Sequence, residues 1–405
     1  MRTNLVFNPL LFAAVALIVC AVLVVPASAA NLSVGAGGQF KTIQQAVDVA
    51  KPGDTVLVAP GTYTENIVVN KPLTITGNAT VQAADSSKDV FLLTSQGVHI
   101  DGLTITGGAS GVDVANVSSC MITNIDAHSN VRGVYLAGST NSEVRRSNLS
   151  NNGYGVYCDY ATSSTIANNT ATGEKGTGNT LGDGIYMYYG GSNTVSNNDL
   201  SSNHVYGISL FRSSNNTITG NTISQNENYG VRLREADNNV LTFNTIRANI
   251  QLGILIIQTT NHQIYLNNFI DQPAAMSGAA EVKLDSPQAM AYTYNGTART
   301  GYTGNYYSDY KGTDSNGTGI GSTPSAYGDK YPLIQPVASY GTIVPASAVT
   351  STPSSGQPSG QNLSTTTTSG TQSNAGTGLP GFEGAYAVAG FAIVALVLLS
   401  KRRAK

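Results

Sequence analysis

Apolar residues fall in three columns along the middle of the chain. Seven segments each open on a glycine, at Gly111, Gly133, Gly155, Gly184, Gly207, Gly230 and Gly253, with spacings of 22, 22, 29, 23, 23 and 23 residues. The first and third residues after the glycine are apolar: Val156 and Cys158, Ile185 and Met187, Ile208 and Leu210, Val231 and Leu233. A period of two marks a strand with one face turned inward. A second column runs Ile122, Val144, Ile166, Val195, Ile218, Leu241, Ile264, and a third runs Ala127, Leu149, Ala171, Leu200, Ile223, Ile246, Phe269. Three short strands per turn of 22 to 23 residues predict an all-β chain, a right-handed parallel β-helix solenoid whose turns stack about 4.8 Å apart. The L-x-x-L-x-L pattern of a leucine-rich repeat is absent.

Asparagines share two further registers, Asn169, Asn198, Asn221, Asn244, Asn267 and Asn130, Asn152, Asn203, Asn226, Asn249. Stacked amides at solenoid corners both donate and accept, so these columns read as structural ladders rather than a ligand array. Upstream, "FKTIQQAVDVA" predicts a short amphipathic helix over residues 42–50 that covers the open end of the solenoid. Residues 31–110 therefore form the cap and first turns, 111–272 the regular repeats, and 273–345 a closing segment.

The two ends read differently. Arg2, the apolar run at residues 10–25 and "PASAA" give residues 1–30 the pattern of a secretory signal. Residues 346–378 form a Ser/Thr-rich stalk, with 15 Ser or Thr among the 29 residues from 350 to 378. Residues 379–405 carry a 15-residue apolar run and end in "KRRAK". The expected location is extracellular and anchored to the cell surface. Nine N-x-S/T sequons, at Asn31, Asn78, Asn116, Asn148, Asn168, Asn215, Asn295, Asn316 and Asn362, are candidate glycosylation sites. A formal charge of −2 with 11% charged residues offers no basic field, so nucleic acid is excluded as a partner.

The tail motif Pro380, Gly381, Phe382 before an apolar run and basic end resembles the PGF-CTERM sorting signal of archaeal surface proteins. That resemblance implies an archaeosortase-like processing enzyme and lipid attachment; a plain C-terminal transmembrane anchor is the other reading. The opening stretch resembles pectin-lyase-like β-helix proteins. "GNYYSDYKGTDSNGTGIGSTPSAYGDKYPLIQP", from Gly304, is similar to the closing segment of NosD-like proteins, the carbohydrate-binding and sugar-hydrolase (CASH) repeat family, with Tyr307 where that family usually has Trp. The family resemblance also implies copper handling, but His99, His128, His204, His262, Met121, Met187, Met276, Met290, Cys120 and Cys158 make no clustered ligand set in sequence. Within the same segment, "GTDSNGTGIG" begins like a calcium loop. Asp309, Asp314 and Asn316 fall short of the six to eight oxygens calcium prefers, so a tight turn is expected and calcium is disfavoured. No other cofactor is expected.

The outward face supplies the remaining chemistry. Two residues after each glycine stand Asp113, Tyr135, Tyr157, Tyr186, Ser209, Arg232 and Leu255, flanked by Tyr154, Tyr160, Tyr188, Tyr189, Tyr206, Arg212 and Arg234. Flat Tyr faces with nearby Arg predict a carbohydrate site made of Tyr135, Tyr157, Tyr186, Tyr188, Tyr189, Arg212 and Arg234, for a polysaccharide or glycan of the cell envelope. A solvated strand face is the plainer reading. If the same face does chemistry, as a polysaccharide lyase, hydrolase or epimerase, Asp159, Asp183, Glu235 and Arg232 are the catalytic candidates, with two carboxylates about 5 to 9.5 Å apart.

Overall fold

The Thr42 hydroxyl accepts the Gln45 N–H and starts a helix over Ile43–Val49, while Glu65 takes the N–H groups of Ile43 and Gln44. Ile43, Ala46 and Val47 are buried against the first strands, so the helix closes one end of the core. The computed structural model describes residues 29–176, 182–278 and 282–348. The signal segment, the stalk with Asn362, the tail with Pro380, Gly381 and Phe382, and part of the long repeat's insertion lie outside those residues.

Past the helix the chain winds as a parallel β-solenoid. One sheet stacks twelve short strands, among them Met121–Thr123, Glu143–Arg145 and Thr165–Ala167. A second stacks ten strands and carries the long ones, Ser110–Ala115, Arg132–Ala137, Tyr154–Asp159, Tyr206–Phe211, Tyr229–Arg234 and Leu252–Ile257. The third face departs from three full strands per turn. Strands such as Asp126–His128 and Thr222–Ser224 flank three turns in which Asn148, Thr170 and Asp199 make single bridges only. The inward residues there are Leu149, Ala171 and Leu200; full strands on the same face carry Ile105, Ala127, Ile223, Ile246 and Phe269, so β-branching of the inward residue does not by itself decide the break.

All three apolar columns are buried in one continuous core. Each fully buried Leu, Ile or Val contributes about 1.5–3 kcal/mol. Cys158 and Cys120 are both buried and unpaired.

The asparagines line the corners as hydrogen-bonded ladders. In one, Ser147 N–H donates to Asn169 Oδ1, Asn169 to Asn198, Asn198 to Asn221, Asn221 to Asn244, Asn244 to Asn267, and Asn267 to Asn305, each within 3.1 Å. The amide nitrogens donate back to strand carbonyls, as Asn244 Nδ2 does to Ile218 O at 2.8 Å. The ladder ends where Asn305 N–H meets Asp329 Oδ2 at 2.7 Å. The second ladder contains a substitution the sequence registers had not shown. Glu174 stands between Asn152 and Asn203, accepting the Asn152 N–H at 2.6 Å, and is wholly buried with Oε1 unpartnered. A third ladder, absent from the sequence reading, runs Ser142, Ser164, Asn193, Asn216, Asn239 and closes on His262 Nδ1.

The closing segment seals the far end. Tyr307 is buried, stacked on Phe269 at 5.4 Å and Tyr327 at 5.1 Å. A three-stranded antiparallel sheet built on Met290–Tyr294 and Thr297–Gly301 follows. Asp314 accepts the N–H groups of Thr318 at 3.0 Å and Gly319 at 2.7 Å, an Asx-type turn around Asn316. Asp309 lines a separate pocket with Tyr310 and Thr323, and Asp329 serves the ladder, so these oxygens do not gather.

Candidate functional site

The long-strand sheet exposes its outer face, and parallel register stacks like on like. Asp113 aligns with Tyr135, Tyr135 with Tyr157, Tyr157 with Tyr186, Tyr186 with Ser209, and Ser209 with Arg232. The next outward column runs Ala137, Asp159, Tyr188, Phe211, Arg234. One step further, at the corner, Tyr160, Tyr189, Arg212 and Glu235 follow these strands, all with φ between 51° and 55°.

The rings do not present themselves as expected. Tyr135 and Tyr157 lie 5.2 Å apart at 9°, and Tyr157 and Tyr186 5.1 Å apart at 2°, so their faces cover one another. Arg132 lies against Tyr135 at 4.3 Å and reaches within 6.0 Å of Tyr157. Strand spacing and ring thickness force this: rings stacked along the solenoid axis turn their edges outward. The stripe therefore offers a row of ring edges and phenol oxygens, and flat faces for sugar rings are not its main feature. Burial raises the Tyr135 and Tyr186 phenols to about 12 and moves Tyr157 higher still, which keeps all three as hydroxyl donors. Tyr160 is the exception. It stacks on Tyr189 at 4.8 Å and 4°, its column neighbour on the other side is Gly138, and it is 57% exposed.

Beneath the edges lie acceptors without donors. Asp113 Oδ1, Asp159 Oδ1, both oxygens of Asp183, and Ser209 Oγ are buried and unpartnered. Asp159 Oδ2 accepts the Tyr135 hydroxyl at 3.0 Å. Burial and the neighbouring Asp89 raise Asp113 to about 7. Asp183 is a correction to the sequence reading: it sits in the column of Tyr154 and Tyr206 and is wholly buried, and burial moves its pKa well above the carboxylate range.

The four catalytic candidates do not share a groove. Asp159 aligns with Tyr188, five residues beyond Asp183 on the same strand row, which separates the two acids by about 16 Å along the strand. Glu235 follows Arg234, which is three turns above Asp159, about 14 Å along the axis. Arg232 extends over the Tyr206 ring at 5.4 Å, and its charge acts on Asp183. Neither separation matches the two-carboxylate spacing of glycoside hydrolysis.

With this geometry in view, the family model described as "Periplasmic copper-binding protein (NosD)" matches residues 47–183 and 177–312, most of the solenoid. The chain belongs to the NosD family. A cell surface glycoprotein of Methanothermus fervidus is 42% identical over 89 residues, 21% of this chain and 15% of that protein's length. This NosD chain thus spans about a seventh of that relative. Dettilon tailspike protein superimposes with a TM-score of 0.52 at 16% identity, covering 65% of this chain and 57% of the tailspike, which shows the fold alone. An alginate lyase from Paenibacillus sp. str. FPU-7 superimposes at 0.48 and 15% identity, covering 63% of this chain and 97% of the lyase.

Copper does not fit the donors this NosD chain brings together. His262 is buried within a ladder, its pKa lowered by burial, and His204 pairs with Glu227 at 2.8 Å. His99 bonds Thr123, and Cys158 and Met187 point into the core. Among the described residues no group of three His, Cys, Asp or Glu converges.

Proposed function

We propose that this NosD-family chain is a cell-surface β-solenoid that binds envelope glycan along its tyrosine edge, without turnover. The observation that carries this is the continuous stack from Tyr135 through Tyr186, which sets phenol oxygens at about strand spacing along one outward edge. A polymer of hydroxylated rings donates to and accepts from those phenol oxygens. The name of the Methanothermus relative supports an extracellular location.

Tyr160 and Tyr189 support the same reading through their stacked rings, one of them open to solvent. Their corner holds Asn116 and Gly138 in neighbouring turns, residues that take the left-handed region readily, whereas a bulky ring there costs about 1–3 kcal/mol. Phe243 and Leu266 take similar φ on other corners, so strain alone does not single out the site; the exposed stack of two rings does.

Two variants test the proposal on a glycan array with the full chain. Tyr157→Phe keeps the stack and removes one hydroxyl, so it should retain the wild-type melting temperature and lose several-fold in glycan retention. Tyr160→Gly relaxes the corner and removes the open ring face, and should change stability by no more than about 1 kcal/mol while weakening retention at least as much. Wild-type protein that retains no glycan, or releases shortened or unsaturated products, contradicts the proposal.

A further inference from the structure

The aromatic stripe is electrically lopsided. Three arginines line the turns at its C-terminal end, Arg232 leaning to the start of the strand Tyr206–Phe211 and Arg212 and Arg234 to its end. Arg212 lies over the rings of Tyr189 at 5.6 Å and Phe211 at 5.1 Å, Arg234 over Phe211 at 5.0 Å, and Arg232 over Tyr206 at 5.4 Å. One carboxylate serves two of them. Glu235 pairs with Arg212 at 2.7 Å and with Arg234 at 3.4 Å. Arg232 has no ion pair among the described residues. The acid whose field reaches it, Asp183, is completely buried beneath the tyrosines and cannot present a charge at the surface.

We infer that Arg212, Arg232 and Arg234 form an anion subsite at one end of the tyrosine stripe, taking the carboxylate or sulfate of an acidic sugar. The inference rests on the glycan-binding reading and adds its chemical class. Arg212 and Arg234 share one carboxylate and Arg232 has none, so the three leave an excess of two positive charges spread along a half-exposed edge. Planar guanidiniums give paired N–H donors to either oxyanion, and the rings beneath hold them in place. At the opposite end Arg132 lies over Tyr135 and its charge is offset by the neighbouring Asp113, so the Tyr135 and Tyr157 edges there face neutral hydroxyls. A bound chain is therefore oriented, with its acidic group towards the Gly230 turn and neutral hydroxyls towards the Gly133 turn.

The chain contains no tryptophan and 21 tyrosines, so tyrosine fluorescence reports binding directly. The full chain is titrated with an oligogalacturonate, the same oligomer after carboxyl reduction, and a sulfated galactan oligomer. The expected result is about tenfold tighter binding of both anionic oligomers than of the reduced one, falling with added salt. In Arg232→Gln/Arg234→Gln that ratio collapses towards one. Glu235→Gln raises it several-fold, because it removes the carboxylate paired with Arg212 and Arg234, and Arg247→Gln on another face leaves it unchanged. Tightening by only one of the two anions supports the subsite and identifies the oxyanion. Equal binding of all three oligomers, or a ratio that survives the double substitution, overturns the subsite and leaves the glycan reading standing. No binding by any oligomer overturns both.

Discussion

Asn244→Ala is expected to destabilise the solenoid by about 3–5 kcal/mol, seen as an early urea midpoint in circular dichroism. Asn244 Oδ1 accepts both the N–H and the Nδ2 of Asn221, at 3.0 and 2.9 Å, while its own Nδ2 donates to Ile218 O and Asn267 Oδ1. Truncation removes the side-chain partners of the buried Asn221 N–H and Ile218 O, while Asn221 Nδ2 keeps Val195 O and Asn267 Oδ1 keeps the Asn244 N–H. Each orphaned buried group costs about 1–3 kcal/mol, whereas the lost side-chain volume alone costs far less. A substitution in the exposed face of the same turn, such as Arg247→Gln, should change stability by about 0.5 kcal/mol at most. A loss at Asn244 no larger than that would mean the ladders are ornamental.

The second large effect has the opposite sign. Glu174→Gln should stabilise the protein by about 2–4 kcal/mol at pH 8 and by almost nothing at pH 4. Burial raises the Glu174 carboxyl from 4.5 to about 9, against a small lowering by the Asn152 N–H. The folded state therefore holds this proton over a range in which the unfolded state has released it. Stability is full below the unfolded pKa of 4.5 and declines as pH rises towards 9. Gln is neutral throughout and brings an amide of equal length to a ladder of amides. His262 works in the other direction. Its pKa is lowered from 6.5 by burial, so stability declines as pH falls below 6.5. Melting temperatures from pH 4 to 9 should show the alkaline decline flattened in the Gln variant and the acid decline unchanged. An identical profile for both proteins would place Glu174 in a wetter setting than its burial indicates.

How much of this was legible beforehand depended on periodicity. The apolar columns repeat because each turn must bury the same faces, so the strands, the core and the capping helix could be read directly. Two asparagine columns were visible for the same reason. The third was hidden because its register begins with Ser142 and Ser164 and ends with His262, so residue identity changes while the accepting atom stays in place. Glu174 was hidden for a related reason: its repeat carries the insertion, which shifts the alignment at that turn. The outward tyrosines were found, but their orientation was not. Sequence spacing says which rings are neighbours, and only the stack says that neighbours cover each other's faces. Asp183 shows the same limit, since its column marks it as outward while taller Tyr neighbours bury it.

The ladder that ends on Asp329 has an electrical sense. From Ser147 to Asn305 every N–H points the same way along the axis, so the bond dipoles add and polarise one another. The positive end of that wire arrives at the closing segment, where Asp329 also takes the Tyr331 N–H at 2.9 Å. The solenoid therefore has a head and a tail in its field as well as in its sequence.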